Sequence, residues 1–231
     1  MNSMQMNFFV SITTIRKYKV ALDILLESLP NEWKNKYILV YQDENMDEHL
    51  ENYRVFEDGH IEVYIPNNLS DYGNWVGLNI LLEKKVVPED TWFLFIHDTC
   101  KFLNENSAEL TYEIIKNHED TDLDIIWLSN NGQCNISLMR KNSIIYGNNL
   151  YKDIKYMTKM ETILYEWYHE ELLSPKSFKV KQKYIQSNTK HLGKRYVYNN
   201  VNNRSVLLYE SINMEKYYFH TDKESDHPFS P

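Results

Sequence analysis

Thr91-Trp92-Phe93-Leu94-Phe95-Ile96-His97-Asp98-Thr99-Cys100 is the stretch on which the reading of this chain turns. Residues 92–96 are apolar without a break, too few for an ordinary helix and lacking the alternation of a strand wetted on one face. A strand of a parallel sheet, covered by helices on both sides, has this composition. The run stops at His97-Asp98-Thr99, so a carboxylate stands at the strand's carboxyl end. An ionised carboxylate there needs a partner. A divalent cation bridging two phosphates would serve, and so would a turn to cap or a nearby lysine.

Working outward, short apolar runs alternate with helical spacings over the first two-thirds of the chain. Residues 7–12, 37–41 and 61–65 read as strands, and residues 123–128 and 135–139 as two more. Residues 17–29 read as a helix with Val20, Ala21, Ile24, Leu25 and Leu29 on one face, stopped by Pro30. Residues 74–85 form a second helix. A third runs to His118, capped by Asn106 or Ser107 with Glu109 closing a capping box. The longest is expected over 154–173, where Ile154, Met157, Met160, Leu164 and Trp167 step by three or four. Short strands around 195–198 and 205–209 precede a polar tail. Strands alternating with helices predict an α/β fold with a mostly parallel sheet in a single domain. Ligands of such sheets bind beyond the carboxyl ends of the strands. That rule selects Thr13-Thr14, Gln42-Asp43-Glu44 and His97-Asp98-Thr99.

The 231 residues are 42% hydrophobic, 14% aromatic and 25% charged, with six glycines and six prolines. This excludes disorder, collagen and coiled coil, and a chain of this length buries about 70% of its unfolded surface without a staple. No apolar run nears the ~20 residues that span a bilayer, and the first seven residues lack a signal peptide's pattern, so a soluble, cytoplasmic protein is expected. A net charge of −8 argues against broad nucleic-acid binding. The lysines of 176–183 read as a solvated face. Cys100 and Cys134 fit neither a zinc spacing nor a disulfide framework.

Several chemistries lack their motif. No Gly-x-Gly-x-x-Gly follows the first strand, and Gly193-Lys194 lacks the rest of a Walker loop. No Gly-x-Ser-x-Gly elbow is present. His169-Glu170-Glu171-Leu172-Leu173 begins like a zinc-protease helix but has Leu173 where the second histidine belongs.

Four segments, in this order and spacing, carry a resemblance: Val10-Ser11-Ile12-Thr13-Thr14, Gln42-Asp43-Glu44, Asp71-Tyr72-Gly73-Asn74 running on to Asn79, and His97-Asp98-Thr99. Over residues 7–170 the chain resembles nucleotide-sugar glycosyltransferases of the GT-A fold, most nearly the small single-domain kind of surface-polysaccharide clusters and large DNA viruses. The resemblance implies a GT-A-like, Rossmann-like mixed sheet, with residues 7–128 as the nucleotide-sugar half and 129–231 as the acceptor half and tail. It implies a UDP- or GDP-linked sugar donor and a glycan or glycoconjugate acceptor.

By the same resemblance Thr13, Thr14, Asp43 and Glu44 hold base and ribose. Gly73, Asn74 and Asn79 lie near phosphates and sugar, with His97 beside them. Asp98 falls where the family carries a metal-binding Asp-x-Asp, so Mn²⁺ or Mg²⁺ is implied, with His220 (His227 second) completing the shell. The departure is that Ile96 and Cys100 stand where the second carboxylate belongs. Residues 130–135 look like an acceptor-side loop. For the base that takes the acceptor proton, Glu161 is expected, with Asp153 as runner-up. The rivals are a nucleotidyltransferase, which would want a glycine-rich loop after the first strand, and a sugar-binding domain that has lost its chemistry.

Overall fold

The computed structural model describes residues 6–15, 18–42, 52–118, 123–128, 136–158, 161–162, 195–201 and 204–219. The chain runs β1 (Phe8–Thr14), α1 (Lys19–Ser28), β2 (Tyr37–Gln42), β3 (Tyr53–Val55), β4 (Ile61–Ile65), α2 (Gly73–Glu83) and β5 (Trp92–His97). It continues through β6 (Cys100–Phe102), α3 (Asn106–Lys116), β7 (Ile125–Trp127), β8 (Ser137–Met139) and α4 (Lys141–Tyr151) to β9 (Arg195–Val201), β10 (Arg204–Tyr209) and β11 (Met214–Phe219).

β5 is buried at every position, as its unbroken apolar run requires. It lies in a seven-stranded sheet of order β3-β4-β2-β1-β5-β8-β7. β4, β2, β1 and β5 are mutually parallel, while β3 and β8 run against their neighbours. The sheet is therefore mostly parallel and mixed, in one α/β domain. Away from the centre, β4 alternates buried and half-buried residues, which suits a strand covered less completely.

The alternation of β1 sorts the layers. Phe8 packs on Trp33, which follows α1, and on Tyr112 of α3. Ser11 points the other way and bonds Asn74 of α2. α2 is buried nearly all round, because the sheet lies on one side of it and α4 on the other. The close approach of α4 is made possible by Gly147, where a Cβ would overlap the indole of Trp75.

The chain steps outward from β1 to β2 and β4, then returns through α2 to β5 on the far side of β1. The point where strand order reverses thus lies between the carboxyl ends of β1 and β5, the position at which such sheets usually hold a ligand in a crevice. Beyond it a second, antiparallel sheet of order β6-β11-β10-β9 begins at Cys100.

Several expectations are corrected. Residues 154–158 are not helical: Tyr156 bridges Asn68 and Met157 donates its N–H to the Asn68 carbonyl. Glu161-Thr162 are helical, and residues 159–160 and 163–173 of the expected helix lie outside the described residues, so the apolar pair Ile154 and Met157 reports packing of an extended segment. The polar tail contains β11, and α4 occupies residues assigned no element. Of the expected face of α1, Val20 is exposed and Leu22 is buried in its place, while Ala21 and Leu25, and Leu29 just beyond the helix, are buried as expected. Neither Asn106 nor Ser107 caps α3. Asn104 Oδ1 accepts the Asn106 N–H at 3.1 Å, and Glu109 closes no box. Among the described residues no helix is long and apolar enough to cross a membrane.

Gly147→Ala should lower unfolding stability by about 1–3 kcal/mol, the usual cost of overpacking, with secondary structure retained. Urea unfolding followed by circular dichroism measures it. An unchanged midpoint would mean that α4 sits farther from Trp75 than described.

Candidate functional site

Five of the expected residues come together at the switch point: Thr13, Thr14, Asn74, His97 and Asp98. Parallel pairing of β1 with β5 sets Thr13 opposite His97, and the ladder runs one step further, the Asp98 N–H donating to the Thr13 carbonyl at 3.2 Å. Thr14 Oγ1 donates to Asp98 Oδ2 at 2.9 Å. Asp98 is 6% exposed. Burial pushes its carboxyl up to about 7; the Thr14 hydroxyl opposes that rise, the Asp71 charge adds to it, and Lys216 opposes it.

Asp71 and Lys216 carried no role in the sequence reading. Asp71 sits in a short 3₁₀ turn, Ser70–Tyr72, at the entry to α2. Gln42, the last residue of β2, holds that turn. Its Oε1 accepts the Leu69 N–H at 2.6 Å, its Nε2 donates to the Ser70 carbonyl, and its carboxamide occupies the space a Cβ on Gly73 would need. Gly73 thus serves backbone packing on a strand end. The turn places Asp71 Oδ1 2.6 Å from His97 Nδ1. That contact assigns the proton to Nδ1 in the neutral ring and leaves the lone pair on Nε2.

Lys216 arrives from the other end of the chain. β11 pairs antiparallel with β6, setting Lys216 opposite Cys100, and the Tyr217 N–H donates to the Thr99 carbonyl at 3.0 Å. Lys216 is 4% exposed. One trace of this was present in the sequence: Met214 and Lys216 are two apart, so they share a face of β11, and Met214 is buried. Burial pushes the Cys100 thiol up to about 12, which disfavours the thiolate that a nucleophile needs.

Polar groups at this edge and just behind it are left over. Thr13 Oγ1, Asn74 Nδ2 and Ser137 Oγ are buried and make no hydrogen bond among the described residues. Ser137 stands opposite Phe95 on β8, in line with Ser11, which also pairs with Phe95. Each unmet buried group costs about 1–3 kcal/mol, a cost that a polar ligand in the crevice would offset.

Other expected residues fall elsewhere. Asn79 lies about 9 Å farther along α2 than Gly73 at 1.5 Å per residue, and donates to Glu83 at 2.8 Å. Asp153 is exposed in the turn that ends α4. Glu161 is exposed and forms a capping box: its carboxylate accepts the Thr158 N–H at 2.7 Å and hydroxyl at 2.8 Å, and its own N–H donates to Thr158 Oγ1 at 3.2 Å. Those bonds hold its carboxyl below the usual range. The Tyr72 hydroxyl donates to the Thr162 carbonyl at 3.2 Å, docking this turn beside the loop that carries Asp71. Asp43, Glu44, His220, His227, His169, the lysines of 176–183 and the loop 130–135 lie outside the described residues.

The donors do not fit a divalent cation well. Asp98 is buried and already bonded to Thr14, the neighbouring Asp71 carboxylate is engaged by His97 Nδ1, and the Lys216 ammonium acts on Asp98. A second positive charge in this low-dielectric crevice would be repelled. Among the described residues no three His, Cys, Asp or Glu side chains group to hold a metal.

No family model matches the chain, and no curated protein matches it.

Asp98 gives a signed pH dependence. Unfolded, it titrates at about 4; folded, it titrates at about 7. Its contribution to stability is full below about pH 4 and is lost as pH rises through about 7. The melting temperature of Asp98→Asn minus that of the natural chain should therefore climb between about pH 4 and 8 and then level off. A difference that stays constant across that range would show Asp98 to be an ordinary solvated carboxylate.

Proposed function

We propose that the chain is a GT-A-like glycosyltransferase that moves a sugar from a UDP- or GDP-linked donor to a glycan or glycoconjugate acceptor. The observation that carries this reading is the convergence of Thr13, Thr14, Asn74, His97 and Asp98 on the switch-point crevice, with Thr13 Oγ1 and Asn74 Nδ2 buried there without partners among the described residues. The mostly parallel mixed sheet agrees with the resemblance and does not single it out. An elongated polar ligand laid across the ends of β1 and β5 would meet the Thr13 hydroxyl on β1 and the Asn74 amide at the start of α2. Asp71 orients His97, and Thr14 orients Asp98, so both side chains meet a ligand preorganised. Transfer with inversion also needs a base opposite the leaving diphosphate. The Glu161 turn, docked by Tyr72, is our assignment, with Asp153 second.

A binding domain without chemistry is the second reading. One observation favours it: the Glu161 carboxylate is already used in its capping box and is held at low basicity.

A nucleoside diphosphate present at ~100 times its dissociation constant should stabilise the fold by about 2.7 kcal/mol. Thermal melts with UDP and with GDP measure this, and no shift with either would count against a donor site. For the chemistry, Glu161→Gln should lower turnover roughly 10²–10⁴-fold with donor binding kept. Full turnover in Glu161→Gln and in Asp153→Asn would remove both from the mechanism, while donor binding with no turnover in the natural chain would favour the binding domain.

A further inference from the structure

Lys216, like Asp71, is a charged group at this edge to which the sequence reading gave no role. The β6–β11 pairing fixes its backbone opposite Cys100, two residues beyond Asp98, and its side chain is almost fully buried. Its charge acts on both Asp98 and Cys100, and so does the charge of Asp71 with the opposite sign. One ammonium and two carboxylates therefore share a single electrostatic site at the ends of β1 and β5. A lysine inside a protein needs a compensating anion, and its three N–H donors can serve more than one acceptor. Of these three charged groups the Lys216 ammonium is the hydrogen-bond donor, and so the one that would bond a phosphate oxygen.

We propose that Lys216 binds the diphosphate of the donor in place of a divalent cation, so that the donor site works without metal. This rests on the glycosyltransferase reading and adds the group that receives the leaving charge. In transfer, the acceptor oxygen bonds to the anomeric carbon and gives its proton to the base. The bond from that carbon to the diphosphate oxygen breaks, and its electron pair leaves on the diphosphate. A preorganised ammonium at that oxygen stabilises the charge as it develops.

The test is calorimetric titration of the full chain with UDP, GDP and the matching nucleosides, in EDTA and in Mn²⁺. Lys216→Met keeps a buried apolar stem and removes the charge, and Lys216→Arg keeps the charge. The expected result is diphosphate binding that is equal in EDTA and Mn²⁺. It should weaken roughly 10- to 100-fold in Lys216→Met, the worth of a charge-assisted hydrogen bond. It should recover in Lys216→Arg, with nucleoside binding unmoved. Binding that requires Mn²⁺, or that is undiminished in Lys216→Met, overturns the proposal and leaves the donor site standing. No binding of either diphosphate under any condition overturns the donor site as well. If Lys216→Met fails to fold, the EDTA comparison on the natural chain and the Lys216→Arg affinity decide.

Discussion

The parallel pairing of β1 with β5, from Phe8 opposite Trp92 to Thr13 opposite His97, is the constraint on which everything else in this protein depends. Both strands lie at the centre of the sheet, where helices cover both faces. Burying a large side chain such as Phe93 or Phe95 stabilises the fold by about 1.5–3 kcal/mol, so the register is held firmly. A slip of one residue would turn every side chain of β5 to the opposite layer. The same register carries Thr14 to Asp98. The strand-end residues of the site, Thr13, Thr14, His97 and Asp98, are therefore positioned by the hydrophobic core.

Around that pair the fold spends several interactions on bringing charge into an apolar setting. Asp98 and Lys216 are both almost fully buried, Asp71 half so, and none of the three is near another in sequence. Charges are held in an interior only where partners compensate them. Here the partners come from three separate routes: the end of β1, the turn before α2, and β11. Gln42 is the less obvious member. By bonding Leu69 and Ser70 and filling the space beside Gly73, it fixes the turn that delivers Asp71 to His97.

The segment after α4 shows how the same residues can meet two demands. Met157 is buried and Tyr156 pairs with the loop at Asn68, so the chain is extended where its apolar spacing suggests helix. Thr158 and Glu161 then satisfy one another's backbone N–H groups and restart the helix. A local capping bond and a long-range strand contact decide this boundary together.

What the sequence by itself determined is the centre of the sheet and the place of Asp98. A strand buried on both faces must be continuously apolar, and residues 92–96 state this locally, as does the polar stop at His97-Asp98. The mostly parallel architecture and the crevice at Thr13-Thr14 follow from the same local signals. Only the tertiary structure decided which charges meet there. Asp71 reads as an ordinary turn residue until Gln42 holds its loop against His97. Lys216 sits in a stretch too polar to read as a strand, because its inward positions include a lysine in place of a second hydrophobe. Pairing between β6 and β11 joins segments from distant parts of the chain, and no local pattern encodes the partner of a backbone hydrogen bond. The burial that turns Lys216 from a surface cation into a site residue exists only once that pairing is made.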